Sequence, residues 1–420
     1  MISKENLKYT LAEQMEAILR KPFGIERTIL KTVEMKASLP HIVVLTGLRR
    51  SGKSTILRQI MKKRYNDYDF YYVNFEDERL FNFPAEDFNI IYESLVELFG
   101  EKKTFFIDEI QNVSHFENFI RRFYDAGFKF FITGSSAKLL SIEIGTKLTG
   151  RHVDIVVTPF SFKEYLTFKH FNLTAQSLYK TRDRAEVKKH FASFLVNGGV
   201  PEYVQYNDPE VLTRVYEDIV IKDIMVRNRI ENLKQLKEFY QYIITTASQR
   251  FSYNSLRKFI DIHSSNTIKK YIDSLEETYF ISQVNKFDYS LKKQIINDKK
   301  VYVVDNGFIT KISATFTKDN GWLLENVVFT ELKKKGDVFY YSGKYECDFV
   351  VADNKKVKEA VQVSWDITQK NRERELNGLF EAMDSCNLKN GLILTNDQEE
   401  EVNVNGKKII IKPVWKWLLD

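Results

Sequence analysis

GLRRSGKST, residues 47–55, is a glycine-rich stretch that closes on a lysine and two hydroxyl residues. The run before it, HIVVLTG (41–47), reads as a short β-rich segment entering a glycine turn. The run after it, STILRQIMKKRY (54–65), has the apolar spacing of a helix. Strand, loop and helix in that order are the setting in which G-x-x-x-x-G-K-[ST] cradles phosphate. Gly47 and Gly52 let backbone N–H groups converge on phosphate oxygens, and Lys53 reaches the β- and γ-phosphates. Ser54 is the expected Mg²⁺ ligand, and Arg50, Ser51 and Thr55 complete the expected nucleotide-binding set, with ATP and Mg²⁺ as the bound groups.

A second element tests the first. TFFIDEIQNV (104–113) is an apolar strand ending in two carboxylates, where a parallel sheet delivers side chains to a site at its carboxyl edge. Asp108 is expected to hold Mg²⁺ through water and Glu109 to polarise the attacking water. A third apolar run, KFFITGSSAKLL (129–140), ends in small hydroxyl residues. Ser135 or Ser136 would hydrogen-bond the γ-phosphate or the lytic water, and a strand followed by a helix N-cap would look the same.

Taken in order, GLRRSGKST, FFIDEIQ, FFITGSS, TGRHVDIVVTPFSFKEYL and NGGVPEYV resemble the AAA-type ATPases of a bacterial and archaeal family, AAA_14, in which this module is fused to a C-terminal domain, DUF4143. The resemblance covers nearly the whole chain. It implies an α/β P-loop ATPase of the ASCE division, with an added acid strand between the Walker elements. It also implies that Arg151, in TGRH, is an arginine finger acting in trans, against the ordinary reading of a salt-bridged surface arginine. Pro201, in GGVPE, would face the nucleotide as in related STAND ATPases, against the reading of a turn proline after Gly198 and Gly199.

At 420 residues the chain is too long for one ordinary core. The motifs divide it into a P-loop core (1–160), a helical lid (161–232), a winged-helix domain (233–300) and a C-terminal α/β domain (301–420). Gly198 follows the last periodic residues of HFASFLVNGG as a helix stop would. In 239–300 three short amphipathic helices precede a β-rich segment, the elements of a winged helix. The third helix, opened by Ser265 or Asn266, would enter a major groove with Lys269 and Lys270 exposed, while Lys292 and Lys293 would sit on the wing near phosphates. Glu276 and Glu277 in the same helix point to the alternative, a winged helix used as an interdomain or protein-binding spacer.

The tail holds KKVYVVDNGF, WLLENVVFTELKKKG, VFYYSG, ECDFVVAD, EAVQVSW and GLILTN, an α/β order. It looks like the PD-(D/E)xK, restriction-endonuclease-like fold of this family's tail. That likeness implies that Glu325, Asp348 and Gln362 converge on one Mg²⁺, with Glu346 an additional acid or a solvent-facing strand residue. The sequence departs from the pattern at Ser364, where a lysine is called for two residues past Gln362. Without that cation water activation weakens. Lys344 or Lys358 would have to substitute, and the tail is expected to hold a partner rather than to cut it.

Composition narrows the classes further. Hydrophobic residues at 43% and charged residues at 29% are globular values, and no apolar run reaches bilayer length. The N-terminus lacks a signal-peptide core, so the cytoplasm is the expected location. Two cysteines, Cys347 and Cys386, form no metal-ligand spacing. The 32 phenylalanines and 22 tyrosines are spread through all regions, as packing residues would be. A net charge of +6 permits a polyanionic partner without requiring one. The function expected is Mg²⁺-dependent ATP hydrolysis coupled to a tail that binds double-stranded or branched DNA, or a protein, with homo-oligomerisation needed for a finger in trans. The alternatives are a nucleotide-gated binding module with incidental hydrolysis and an ATP-licensed metal-dependent nuclease.

Overall fold

Side-chain alternation builds the first sheet. In the run 104–108, Phe105 and Ile107 project to one face and Phe106 to the other, and each enters a different apolar cluster. In the run 42–45 the same split sends Ile42 and Val44 one way and Val43 and Leu45 the other. A strand buried on both faces must be apolar at every position, which is why these runs do not alternate with polar residues.

The computed structural model describes residues 2–81, 83–135, 148–174, 176–259, 264–314, 320–404 and 406–420. Two compact units are present: Met1–Thr158 with Glu277–Tyr279, and Pro159–Glu276 with Phe280–Asp420.

The first unit opens with helices α1 (Lys4–Arg20) and α2 (Leu30–Ala37), then β1 (Ile42–Thr46) and α3 (Lys53–Arg64). It continues with β2 (Tyr71–Asn74), α4 (Phe88–Phe99), β3 (Thr104–Asp108), α5 (Phe116–Asp125), β4 (Lys129–Gly134) and β5 (His152–Val156). The five strands form a parallel sheet in the order β2-β3-β4-β1-β5. Thus β4 lies between the strand that feeds the glycine loop and the strand that carries the acid pair. Facing rings lock that register: Phe105 stacks on Phe130 and Phe106 on Phe131, at 5.2 and 4.6 Å between centroids. The expected end of this core at 160 lies beside the unit boundary after Thr158. Ser136 lies outside the described residues.

The second unit begins with helices α6 (Phe162–Phe168), α7 (Thr181–Asn197), α8 (Pro201–Tyr206) and α9 (Pro209–Asp218), followed by a π-helical segment, Ile219–Val226. A full capping box starts α6: Ser161 Oγ accepts from the Glu164 N–H while Glu164 accepts from the Ser161 N–H. Gly198 stops α7 with φ of 72°. Next come α10 (Leu233–Thr245), β6 (Arg250–Phe251), α11 (Tyr253–Phe259), α12 (Ser265–Glu277), β7 (Ile281–Asn285), α13 (Leu291–Ile296) and β8 (Lys299–Val303). These three strands pair antiparallel in the order β6-β8-β7.

The rest of the unit comprises α14 (Asn306–Ile312), α15 (Asn320–Leu332), β9 (Asp337–Ser342), β10 (Glu346–Asp353), β11 (Lys356–Val363), α16 (Arg372–Ser385), β12 (Asn390–Thr395), β13 (Glu400–Val404), β14 (Lys407–Pro413) and α17 (Val414–Trp417). Its mixed six-stranded sheet runs β13-β14-β12-β11-β10-β9. Helix α16 covers one face, where Leu379, Ala382 and Met383 meet Val350, Ala360 and Ile393. The expected domain boundary at 300/301 falls inside β8 and is corrected: the pairing with β7 runs across it from Lys299 to Val303, so this strand cannot be divided between two modules.

Candidate functional site

The loop from Gly47 to Gly52 leaves β1 through two glycines held in the left-handed half of backbone space, with φ of 134° and 99°. A Cβ at Gly47 would stand 2.2 Å from the Val157 carbonyl oxygen. Arg50 also takes positive φ. From outside the loop Arg27 braces it, donating to the carbonyls of Ser51 at 2.9 Å and Thr158 at 2.7 Å. Lys53 begins α3 and is buried. Its ammonium donates to the carbonyls of Gly47 (3.2 Å) and Leu48 (3.1 Å) and lies 3.6 Å from Glu109. Ser51 is buried, and Ser54 and Thr55 sit half-buried at the start of the same helix.

Asp108 ends β3, and Glu109 follows it with φ of 52°. That turn aims the two carboxylates differently. Asp108 accepts hydrogen bonds from Tyr72 (3.3 Å), Thr133 and Ser54. Glu109 accepts from Gln111, and its backbone N–H donates to Thr133 Oγ1 at 2.9 Å. Gln111 also donates to Ser135 at 3.1 Å. Burial, then the neighbouring Glu109 charge, raises the Asp108 carboxyl above its ordinary value, with Ser54 and Thr133 opposing. Burial acts the same way on Glu109, but the Lys53 charge and the Gln111 hydrogen bond outweigh it and hold Glu109 below its ordinary value. Gly47, Lys53, Ser54, Asp108, Glu109 and Ser135 are therefore brought together at the carboxyl edge of one sheet. Thr133, Gln111, Tyr72 and Arg27 escaped the sequence reading. A threonine two residues before Ser135 on a strand was the available signal for Thr133.

Arg151 is placed elsewhere. Its carbonyl accepts from the Ile42 N–H, at the end of β1 remote from the loop. The strand between spans on the order of 16 Å. The Arg151 guanidinium pairs with Asp125 at 3.2 Å and lies over Tyr124, so it is held away from the phosphate loop of its own chain. Pro201 occupies the first position of α8 in the second unit.

The second unit gathers its own cluster. Glu325 from α15, Glu346 and Asp348 from β10 and Gln362 from β11 line one cavity of about 430 Å³. At its wall stands a residue that sequence reading did not select. Lys300, on β8, is 4% exposed and lies 2.9 Å from Glu346, 3.1 Å from Glu325 and 3.5 Å from Asp348. Lys344 and Lys358, the expected substitutes for the missing lysine, are both exposed, so that expectation is corrected. Burial alone would lower the Lys300 ammonium, yet Glu325, Tyr302, Asp348 and Glu346 hold it well above its ordinary value. Burial and the Glu325 charge raise Asp348, while Lys300 and Arg250 outweigh burial at Glu346 and lower it. The signal for Lys300 was the alternation in KKVYVVD: Lys300 and Tyr302 share a strand face, and both are buried.

Lys269 and Lys270 are exposed on α12, and Lys292 and Lys293 are exposed on α13 between β7 and β8. Among the described residues, no helix is long and apolar enough to cross a membrane, and no group of three or more His, Cys, Asp or Glu side chains is disposed to hold a metal ion.

A parallel sheet that sends one strand into a glycine loop with a buried lysine, and another into an acid pair beside it, defines a P-loop domain of the AAA ATPase type. Residues 40–166 match the AAA domain family AAA_14. Residues 188–319 match a domain of unknown function, DUF8612, where the resemblance had led to DUF4143. The chain belongs to the family of the uncharacterized protein MJ1544 of Methanocaldococcus jannaschii, to which it is 36% identical over 415 residues, covering 94% of this chain and 91% of that one. It is also similar to an uncharacterized protein of Haemophilus influenzae, at 30% identity over 403 residues, covering 90% of this chain and 94% of that one. Among solved structures it is similar to the Aeropyrum pernix ORC1 protein in complex with DNA, at 11% identity and a TM-score of 0.31, covering 76% of this chain and 98% of that one.

Proposed function

We propose that this chain is an Mg²⁺-dependent ATPase whose nucleotide state governs a tail that binds nucleic acid. The observation that carries the reading is the Lys53–Glu109 approach of 3.6 Å at the carboxyl edge of the sheet. Lys53 is placed to leave the loop carbonyls for the β- and γ-phosphates, with the N–H groups of the loop around it. The Ser54–Asp108 hydrogen bond brings together the two groups that would hold Mg²⁺, which would neutralise charge on the phosphates. Glu109, ionised by Lys53 and oriented by Gln111, is the base for the attacking water, and Ser135 is the hydroxyl next to it. Arg151 would act only on the loop of a second copy.

For the tail, three helices and an antiparallel three-stranded sheet support a winged helix, and Lys269, Lys270, Lys292 and Lys293 would meet phosphates. The six-stranded sheet carrying Asp348 and Gln362, with Glu325 on α15 lining the same cavity, supports a restriction-endonuclease-like fold retained for binding. Double-stranded or branched DNA is the target that the exposed lysines favour.

The test measures fluorescent-ATP binding and phosphate release, with and without double-stranded, single-stranded and branched DNA. Lys53→Ala should abolish binding, and Glu109→Gln should bind without turnover. Wild-type turnover by Lys53→Ala would reject the ATPase assignment. Turnover unmoved by every DNA form would reject the nucleic-acid tail in favour of a protein partner.

A further inference from the structure

The carboxylate cavity of the second unit is where the family resemblance puts a divalent metal ion, and its donor atoms do not fit one. Glu325 Oε1 accepts from the Tyr302 hydroxyl at 2.6 Å and from Lys300 at 3.1 Å. Asp348 Oδ2 accepts from the Val363 N–H at 2.9 Å, and its Oδ1 faces Lys300. Gln362 Oε1 accepts from the Asp348 N–H at 3.2 Å, and its amide donates to Glu375 at 2.6 Å. Glu346 is shared between Arg250 at 2.5 Å and Lys300 at 2.9 Å. Each of these four side chains thus has at least one of its would-be ligand oxygens already engaged by a donor of the protein itself. A Lys ammonium has three donors and no acceptor, and here it stands within 3.5 Å of three carboxylates from two different elements.

We infer that the Lys300 ammonium is a built-in cation that takes the place of the divalent metal in this cavity. An ammonium supplies the charge that draws Glu325, Glu346 and Asp348 together, but it has no exchangeable ligand position at which a water could be activated. The pocket therefore keeps the architecture of a metal site without the metal's chemistry. A lysine moved from β11 to β8 but serving the same catalytic role would be a different device, since it would leave Glu325 and Asp348 free to ligate. The inference does not rest on the nucleotide chemistry of the first unit.

The experiment is a Mn²⁺ titration followed by electron paramagnetic resonance on the full chain without nucleotide, in the wild type and in Lys300→Met, each with and without Asp348→Asn. The wild type should show no Mn²⁺ site tighter than about 1 mM that Asp348→Asn removes. Lys300→Met should gain such a site, at least about tenfold tighter, and Asp348→Asn should abolish it. Thermal unfolding gives a second readout: Lys300→Met should melt below the wild type and recover with millimolar Mn²⁺, whereas the wild-type midpoint should not move. A wild-type Mn²⁺ site lost in Asp348→Asn overturns the inference, as does a folded Lys300→Met that neither binds nor is stabilised by Mn²⁺. If Lys300→Met does not fold, the wild-type titration decides alone: a site lost in Asp348→Asn overturns the inference, and its absence supports it.

Discussion

Lys53 and Glu109 approach to 3.6 Å with both side chains withdrawn from solvent, so the residue that would bind phosphate and the residue that would activate water share one charge balance. Removing the carboxylate charge alone should leave Lys53 freer to meet a phosphate. Glu109→Gln is therefore expected to hold ATP as tightly as the wild type or more tightly, while turnover falls by about 10²–10⁴-fold. Equilibrium binding of a fluorescent ATP analogue beside single-turnover phosphate release measures both. A tenfold loss of affinity would contradict the shared balance.

Thr133 ties the acid pair together, donating to Asp108 and accepting from the Glu109 N–H. Thr133→Val keeps the shape and removes the hydroxyl, leaving a buried carboxylate and a buried N–H each short of a partner. The expected loss is about 1–3 kcal/mol of stability, with turnover reduced more than ATP affinity. Urea denaturation and steady-state kinetics on the same variant check the two halves.

Asp305, between β8 and α14, is pushed up to about 7 by burial, although the N–H groups of Gly199 (2.6 Å) and Gly307 (2.9 Å) favour its charged form. The folded chain then retains a proton that the unfolded carboxyl, near 3.9, gives up. Stability from this group is complete below about pH 4 and is lost as pH rises through about 7, a contribution of at most about 4 kcal/mol. Asp305→Asn does not titrate, so the wild-type urea midpoint should fall relative to that of the variant between pH 5 and pH 8. A constant difference over that range would show that Asp305 is charged throughout.

Gly47 cannot take a side chain: φ is 134°, and a Cβ would meet the Val157 carbonyl oxygen at 2.2 Å. Gly47→Ala must shift the loop or β5. A loss of at least about 2 kcal/mol is expected, with weakened ATP binding, readable in a thermal midpoint several degrees lower.

Sequence reading reached the phosphate loop because its residues are contiguous and its flanks declare strand and helix. The acid pair was equally legible, as it ends an apolar strand. What escaped were residues whose role depends on which strands become neighbours. Thr133 matters because β4 pairs with β3, and Lys300 matters because β8 brings it against the acids of α15 and β10. Arg151 shows the converse. The family motif marked it as a finger acting in trans, and only the register of β1 with β5 shows that it lies at the end of the sheet remote from the phosphate loop of its own chain. No local pattern carries strand order, so a cation borrowed from a distant element is invisible until the pairing is known.

The position of Lys300 on β8 also bears on how this protein can be cut and recombined. A tail expressed from residue 301 onward would look complete by its sheet, its helices and its acids, yet it would lack the one ammonium that Glu325, Glu346 and Asp348 share. Such a fragment would carry an acidic pocket stripped of its buried ammonium. It would take up cations that the intact chain excludes, so metal binding or metal-dependent cleavage seen in the fragment would be a product of the truncation rather than a property of the protein.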